Sequence, residues 1–241
     1  MRIPPVSIII PLIISRKDGI MMKYHFAIFD MDGTLVDSMG FWNRLAGEYL
    51  DRHGIPPMSP ELKEESDALT MIGTAQLFIR EFGLTDTVED ICAEVNGLME
   101  EHYRTDVPLK PGAAACLERM RAAGFKMAVA SSTAPELLDI CLKRLGVRDY
   151  FEFLLSCEEV DAGKNRPDVY LEAARRLGGA PEDTVVFEDI LVAARTAKQA
   201  GFGLGVIYDV NSDGDQEQLK TLADHWFTRW DEEGLLTWLG V

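Results

Sequence analysis

Two aspartates one residue apart, Asp30 and Asp32, follow directly on the apolar run Phe26-Ala27-Ile28-Phe29, and Gly33 and Thr34 come straight after. In extended backbone, residues i and i+2 project to the same side. The two carboxylates therefore converge just past the end of a buried strand. Like charges about 4 Å apart repel by roughly 4 kcal/mol at an effective dielectric of about 20. A chain accommodates such a pair if a cation sits between the two, or if one carboxyl keeps its proton. Either arrangement invites chemistry.

The elements that must hold this pair can be read along the chain. Tyr24 to Phe29 reads as a short strand, buried on both faces. Gly33 permits a tight turn that a side chain would hinder. From Met39 to about Asp106 the pattern is helical throughout, with Phe41, Trp42, Leu45, Tyr49 and Leu50 at helical spacing. Further helices are expected from Ser59-Pro60 and over Thr74 to Phe82, and Asp86 with Glu89 reads as a capping-box start for another. This gives an all-helical insertion of roughly seventy residues, the size of a small domain.

Beyond Pro108, Pro111 and Gly112, strands and helices alternate. Strands are expected at Lys126 to Ala130, Phe153 to Leu155, Thr184 to Phe187, Gly203 to Tyr208 and His225 to Thr228. Thr133 and Glu136 read as a capping box for the helix that begins at Pro135. Such alternation predicts an α/β fold, a Rossmann-like parallel sheet with helices on both faces. The expected organisation is a core of residues 21–37 and 107–241, with residues 38–106 as an inserted helical domain.

Ligands of parallel sheets bind beyond the carboxyl ends of the strands. The first strand ends in Asp30 and Asp32, the second in Ser131-Ser132-Thr133, and the fourth in Glu188-Asp189; Gly163-Lys164 follows the third. Several carboxylates, hydroxyls at a helix start and one lysine suit a divalent metal and a phosphate.

In this order and on these strands, Asp30-Met31-Asp32-Gly33-Thr34, Ser131, Lys164 and Glu188-Asp189 resemble the motifs of the haloacid dehalogenase superfamily. The helical insertion resembles that of its subgroup with an α-helical cap, which includes β-phosphoglucomutase and many small-molecule phosphatases. The resemblance implies that Asp30 attacks phosphorus and becomes an aspartyl-phosphate. It implies that Asp32 protonates the leaving oxygen and later takes a proton from water. Mg²⁺ would be held by Asp30, the backbone carbonyl of Asp32 and Asp189, with Glu188 helping. Thr34, Ser131, Ser132 and Lys164 would bind the phosphoryl group.

Some positions depart from the subgroup. Trp42 stands where the mutases usually carry a histidine, and Met71 falls where they place a cation for a second phosphate. The segment after Asp189 reads Ile190-Leu191-Val192-Ala193, where relatives often carry a serine and a glycine. These features make a Mg²⁺-dependent phosphatase of a small soluble phosphomonoester the leading expectation. A phosphosugar mutase is the alternative, and a non-catalytic phosphometabolite-binding module comes third. Substrate selection is expected from the cap, around Trp42, Arg44 and Met71.

The formal net charge of −16 argues against non-specific nucleic-acid binding, which needs cations to displace counterions, and against anionic membrane surfaces. The expected partner is a small phosphorylated metabolite, and the expected state is a monomer. Cys92, Cys116, Cys141 and Cys157 form no Cys-x-x-Cys pair and read as buried thiols of a reducing cytoplasm. Residues 1–20 fit no targeting pattern and read as an N-terminal extension, with Met21 or Met22 as the natural start.

Overall fold

The computed structural model describes residues 22–67 and 69–241; the expectation for residues 1–20 lies outside them. Among the described residues, six parallel strands form one sheet in the order β3-β2-β1-β4-β5-β6. They are β1 (Phe26–Phe29), β2 (Lys126–Ser131), β3 (Leu154–Ser156), β4 (Thr184–Glu188), β5 (Gly203–Ile207) and β6 (His225–Phe227). The first strand thus lies centrally, and the order reverses beside it between β1 and β4. Asp30 emerges at the carboxyl edge of that reversal, the position at which open α/β sheets bind ligands.

Alternate residues feed two cores. Ala27, Phe29, Met127, Val129, Val185 and Phe187 pack on one face, and Ile28, Ala128, Ala130, Val186 and Leu204 on the other. Helices α5 (Ala113–Ala123), α6 (Pro135–Arg144) and α10 (Leu235–Leu239) cover the first face. Helices α7 (Asp168–Leu177), α8 (Leu191–Gln199) and α9 (Gln216–Leu222) cover the second. Gly205 is required by packing, since a Cβ there would lie 2.5 Å from the Phe187 ring.

Between β1 and β2 run α1 (Met39–Arg52), α2 (Pro60–Asp67), α3 (Met71–Phe82) and α4 (Val88–Thr105). Tyr49 stacks on Phe78 with ring centroids 5.8 Å apart, joining α1 to α3. The two linkers to the sheet run side by side. Val36 bridges Leu109 antiparallel, Asp37 N–H donates to Pro108 O at 2.9 Å, and Lys110 N–H donates to Leu35 O at 2.9 Å.

Three helix starts differ from the sequence reading. Helix α3 begins at Met71 and not at Thr74, with the Thr70 hydroxyl accepting from Gly73 N–H at 3.3 Å as its N-cap. Thr87 and Asp90, one residue later than Asp86 and Glu89, make the reciprocal capping box of α4. At α6 the N-cap is Ala134 and no side chain caps it. The hydroxyl of Thr133 bonds elsewhere.

Candidate active site

Asp30 emerges from the central strand into a buried cluster. One oxygen atom from each of Asp30, Glu188 and Asp189 lies within 4.8 Å of the others. All are buried, at 6%, 0% and 2% exposure. Lys164 lies between two of them, donating from Nζ to Asp30 Oδ1 and, at 2.7 Å, to Glu188 Oε1. Tyr170, in the first turn of α7, donates its phenol to the same Glu188 oxygen at 2.6 Å. Thr34 is fully buried, and its hydroxyl donates to Asp189 Oδ1 at 3.0 Å. Gly33 crosses the site at a φ of 77°. A Cβ on it would lie 2.3 Å from Asp189 Oδ2.

The charges do not balance without a further cation. Three carboxylates face one ammonium. Burial pushes the Asp30 carboxyl up to about 7 despite Lys164, with Glu188 and Asp32 adding to the rise. Burial also pushes Asp189 well above the carboxylate range, and Asp30 and Glu188 add to it. Burial works to discharge Lys164, but Asp30 and Glu188 outweigh it and hold the ammonium charged.

Glu188 Oε2 is buried without a hydrogen-bond partner. A buried unpaired carboxylate oxygen is costly, and a cation ligand is the partner its chemistry lacks. Hard oxygen donors from a few carboxylates suit a hard divalent cation. The donor set therefore fits a divalent metal held by Asp30, Glu188 and Asp189.

Asp32 stands outside this three-carboxylate cluster, in a cage of hydroxyls. Its Oδ1 accepts from Ser38 Oγ at 2.6 Å and from the Tyr103 phenol at 2.6 Å. Its Oδ2 accepts from Thr133 Oγ1 at 2.8 Å. Ser38 and Thr133 stand at the entries of α1 and α6, and neither hydroxyl caps its helix. Burial raises the Tyr103 phenol, and the Asp32 charge raises it further, so the phenol stays protonated and donates.

The other expected site residues are placed as follows. Ser131 Oγ, 1% exposed, accepts from Thr133 N–H at 3.1 Å. Ser132 is exposed and donates to Cys157 Sγ at 3.7 Å. Trp42 is half-buried against the apolar core. Arg44 is exposed; its guanidinium lies 4.7 Å from the Phe41 ring centroid and its Nε 3.8 Å from Glu48. Met71 opens α3, half-buried against the apolar core. The four cysteines are free thiols, and burial pushes Cys116 and Cys141 up to about 12.

Sequence reasoning did not find Tyr170, Ser38, Tyr103 or the role of Thr133. Tyr170 had a usable signal, an aromatic on the helix that follows Lys164. Tyr103 had none, because it lies 71 residues from Asp32 and reads as a core aromatic.

The carboxylate-lysine cluster lies at the switch point of a parallel α/β sheet, where such sheets bind their ligands. The chain matches the haloacid dehalogenase-like hydrolase family over residues 25–201, and it belongs to that family. It is an enzyme of the phosphatase type. It is 32% identical to hexitol phosphatase A of Escherichia coli over 72% of this chain and 78% of that protein. It is 30% identical to the mitochondrial (DL)-glycerol-3-phosphatase 1 of Arabidopsis thaliana, over 77% of this chain and 64% of that protein. A candidate β-phosphoglucomutase structure from Thermotoga maritima superposes with a TM-score of 0.75 at 25% identity, covering 86% of this chain and 95% of that one. No helix among the described residues is long and apolar enough to cross a membrane.

Proposed function

We propose that the chain is a Mg²⁺-dependent phosphatase of a small phosphorylated metabolite, working through an aspartyl-phosphate. The observation that carries this reading is the convergence of Asp30, Glu188 and Asp189, with Glu188 Oε2 left unpartnered. The names of its relatives, phosphatases of hexitol and glycerol phosphates, favour a polyol or sugar phosphate.

In the first step an Asp30 carboxylate oxygen attacks phosphorus as the bond to the substrate oxygen breaks. Asp32 gives its proton to that oxygen, and the alcohol leaves. In the second step water attacks the phosphorus of phospho-Asp30. Asp32 takes the water proton, and phosphate departs. Asp30, Glu188 and Asp189 would hold Mg²⁺, which would offset the charge of the phosphoryl group and of these carboxylates. Lys164 holds the nucleophile in place, and Thr34 and Tyr170 orient Asp189 and Glu188. The helical insertion acts as the cap that excludes water and selects the substrate.

Hydrolysis of an aryl phosphate with Mg²⁺ and with EDTA tests the reading. Activity is expected to vanish in EDTA. Asp30→Asn should reduce turnover by about 10³-fold or more, since the nucleophile is gone. Full activity in either case overturns the proposal. The structural likeness to a candidate β-phosphoglucomutase keeps a mutase as the second reading. Isomerisation of a sugar 1-phosphate without phosphate release would favour it.

A further inference from the structure

A carboxylate offers about four acceptor positions to hydrogen-bond donors. Three at Asp32 are filled, by Ser38, Tyr103 and Thr133. The cage therefore leaves Asp32 about one direction in which to exchange a proton with anything else. Hydroxyls both donate and accept, so the same cage can serve either protonation state.

The three hydroxyls are not equivalent. Those of serine and threonine swing about one bond, while the tyrosine phenol lies at the end of a rigid ring. Tyr103 is fully buried in the last turns of α4. Its backbone is tied to the sheet domain, because Arg144 at the end of α6 donates from Nε to Tyr103 O at 2.7 Å. The other arm of the same guanidinium donates from Nη2 to Val107 O, in the second linker. One arginine thus fixes the exit of α4 and, through it, the phenol.

We propose that Tyr103 is a positioning residue for Asp32. Its phenol, carried on the helical insertion and locked to the sheet domain by Arg144, sets the plane of the Asp32 carboxyl and aims its free oxygen direction at the leaving group. This rests on the reading of Asp32 as proton carrier. Orienting a catalytic group has large kinetic weight, since a misplacement of about 1 Å can cost about 100-fold.

The test uses leaving groups that differ in their need for a proton. The quantity read is kcat/KM, which reports phosphoryl transfer to Asp30 and not the later hydrolysis. The substrates are phenyl phosphate and 4-nitrophenyl phosphate, of similar shape; nitrophenolate departs readily without protonation. In Tyr103→Phe the ratio of phenyl to nitrophenyl kcat/KM is expected to fall by about fivefold or more, a part of the full general-acid effect. A merely structural role would lower both values together. Arg144→Gln keeps the phenol but frees its helix, and should lower the ratio in the same direction by a smaller factor. It also serves as the reading if Tyr103→Phe does not fold. Asp32→Asn is run in parallel and should lower the ratio most. An unchanged ratio in Tyr103→Phe, or in Arg144→Gln where that is the reading, overturns the inference while Asp32→Asn responds. An unchanged ratio in Asp32→Asn overturns the role of Asp32 and that of Tyr103 with it. Wild-type protein inert towards both esters overturns the phosphatase reading and everything resting on it.

Discussion

Gly33 and Thr34 show how much of the site depends on neighbours of the clustered carboxylates. Gly33 adopts a φ of 77°, and a Cβ there would meet Asp189 Oδ2 at 2.3 Å. Gly33→Ala is therefore expected to displace Asp189 and to strain the backbone by about 1–3 kcal/mol. Thermal unfolding should show the lower stability, and Mg²⁺ titration of activity the weaker metal response. Thr34 acts through a single hydrogen bond, from its hydroxyl to Asp189 Oδ1 at 3.0 Å. Thr34→Val keeps the shape and removes the donor. Groups that orient a metal ligand typically matter by about 10–100-fold in affinity or activity. The Mg²⁺ concentration for half-maximal activity should rise by about that factor, with the fold intact by circular dichroism.

At the scale of elements, α1 and α4 are joined by a histidine between two acids. His102 Nε2 lies 2.8 Å from Glu48 on α1, and Nδ1 lies 3.1 Å from Asp106 at the end of α4. Burial works against the imidazolium, but the bonds to Glu48 and Asp106 outweigh it and raise the histidine above its ordinary value. A raised folded-state histidine stabilises the protein fully below its unfolded pKa of about 6.5. That stabilisation is lost as pH rises through the folded value. Melting temperature should therefore decline as pH rises from about 6.5 through the raised folded value. His102→Gln should flatten that part of the profile, and an unaltered profile would contradict the account. The same scale explains where sequence reading slipped. Local spacing offered Thr133 and Glu136 as a capping box, yet Asp32, brought in from β1, takes the Thr133 hydroxyl. A competing partner 101 residues away is invisible to a local rule.

Across the whole molecule, the helical insertion is anchored to the sheet by paired linkers and by a buried charge pair. Lys110, next to the second linker, donates to Asp209 Oδ2 at 2.8 Å and to Tyr208 O at 2.9 Å, beyond the end of β5. Asn211 donates to Asp209 and accepts from Asn43 of α1 at 2.5 Å, which extends the tie into the insertion. Lys110→Met would leave Asp209 buried at 4% exposure without its cation. Breaking such a pair from one side costs about 3–5 kcal/mol. Chemical denaturation should show a loss of that order, and the double variant with Asp209→Asn should recover part of it. The sequence by itself determined the parallel sheet, the helical insertion and the chemical inventory of Asp30, Asp32, Lys164, Glu188 and Asp189. Alternating apolar runs, glycine-marked turns and carboxylates at strand ends are local signals, and the rule that parallel strands gather their carboxyl ends does the rest. Only the tertiary structure decided what each side chain spends its hydrogen bonds on. Thr34 turned to Asp189, Lys164 to Asp30 and Glu188, and Ser38, Tyr103 and Thr133 to Asp32. Those choices follow from the burial of charge, because an oxygen or nitrogen removed from water must find its partner wherever the fold places one.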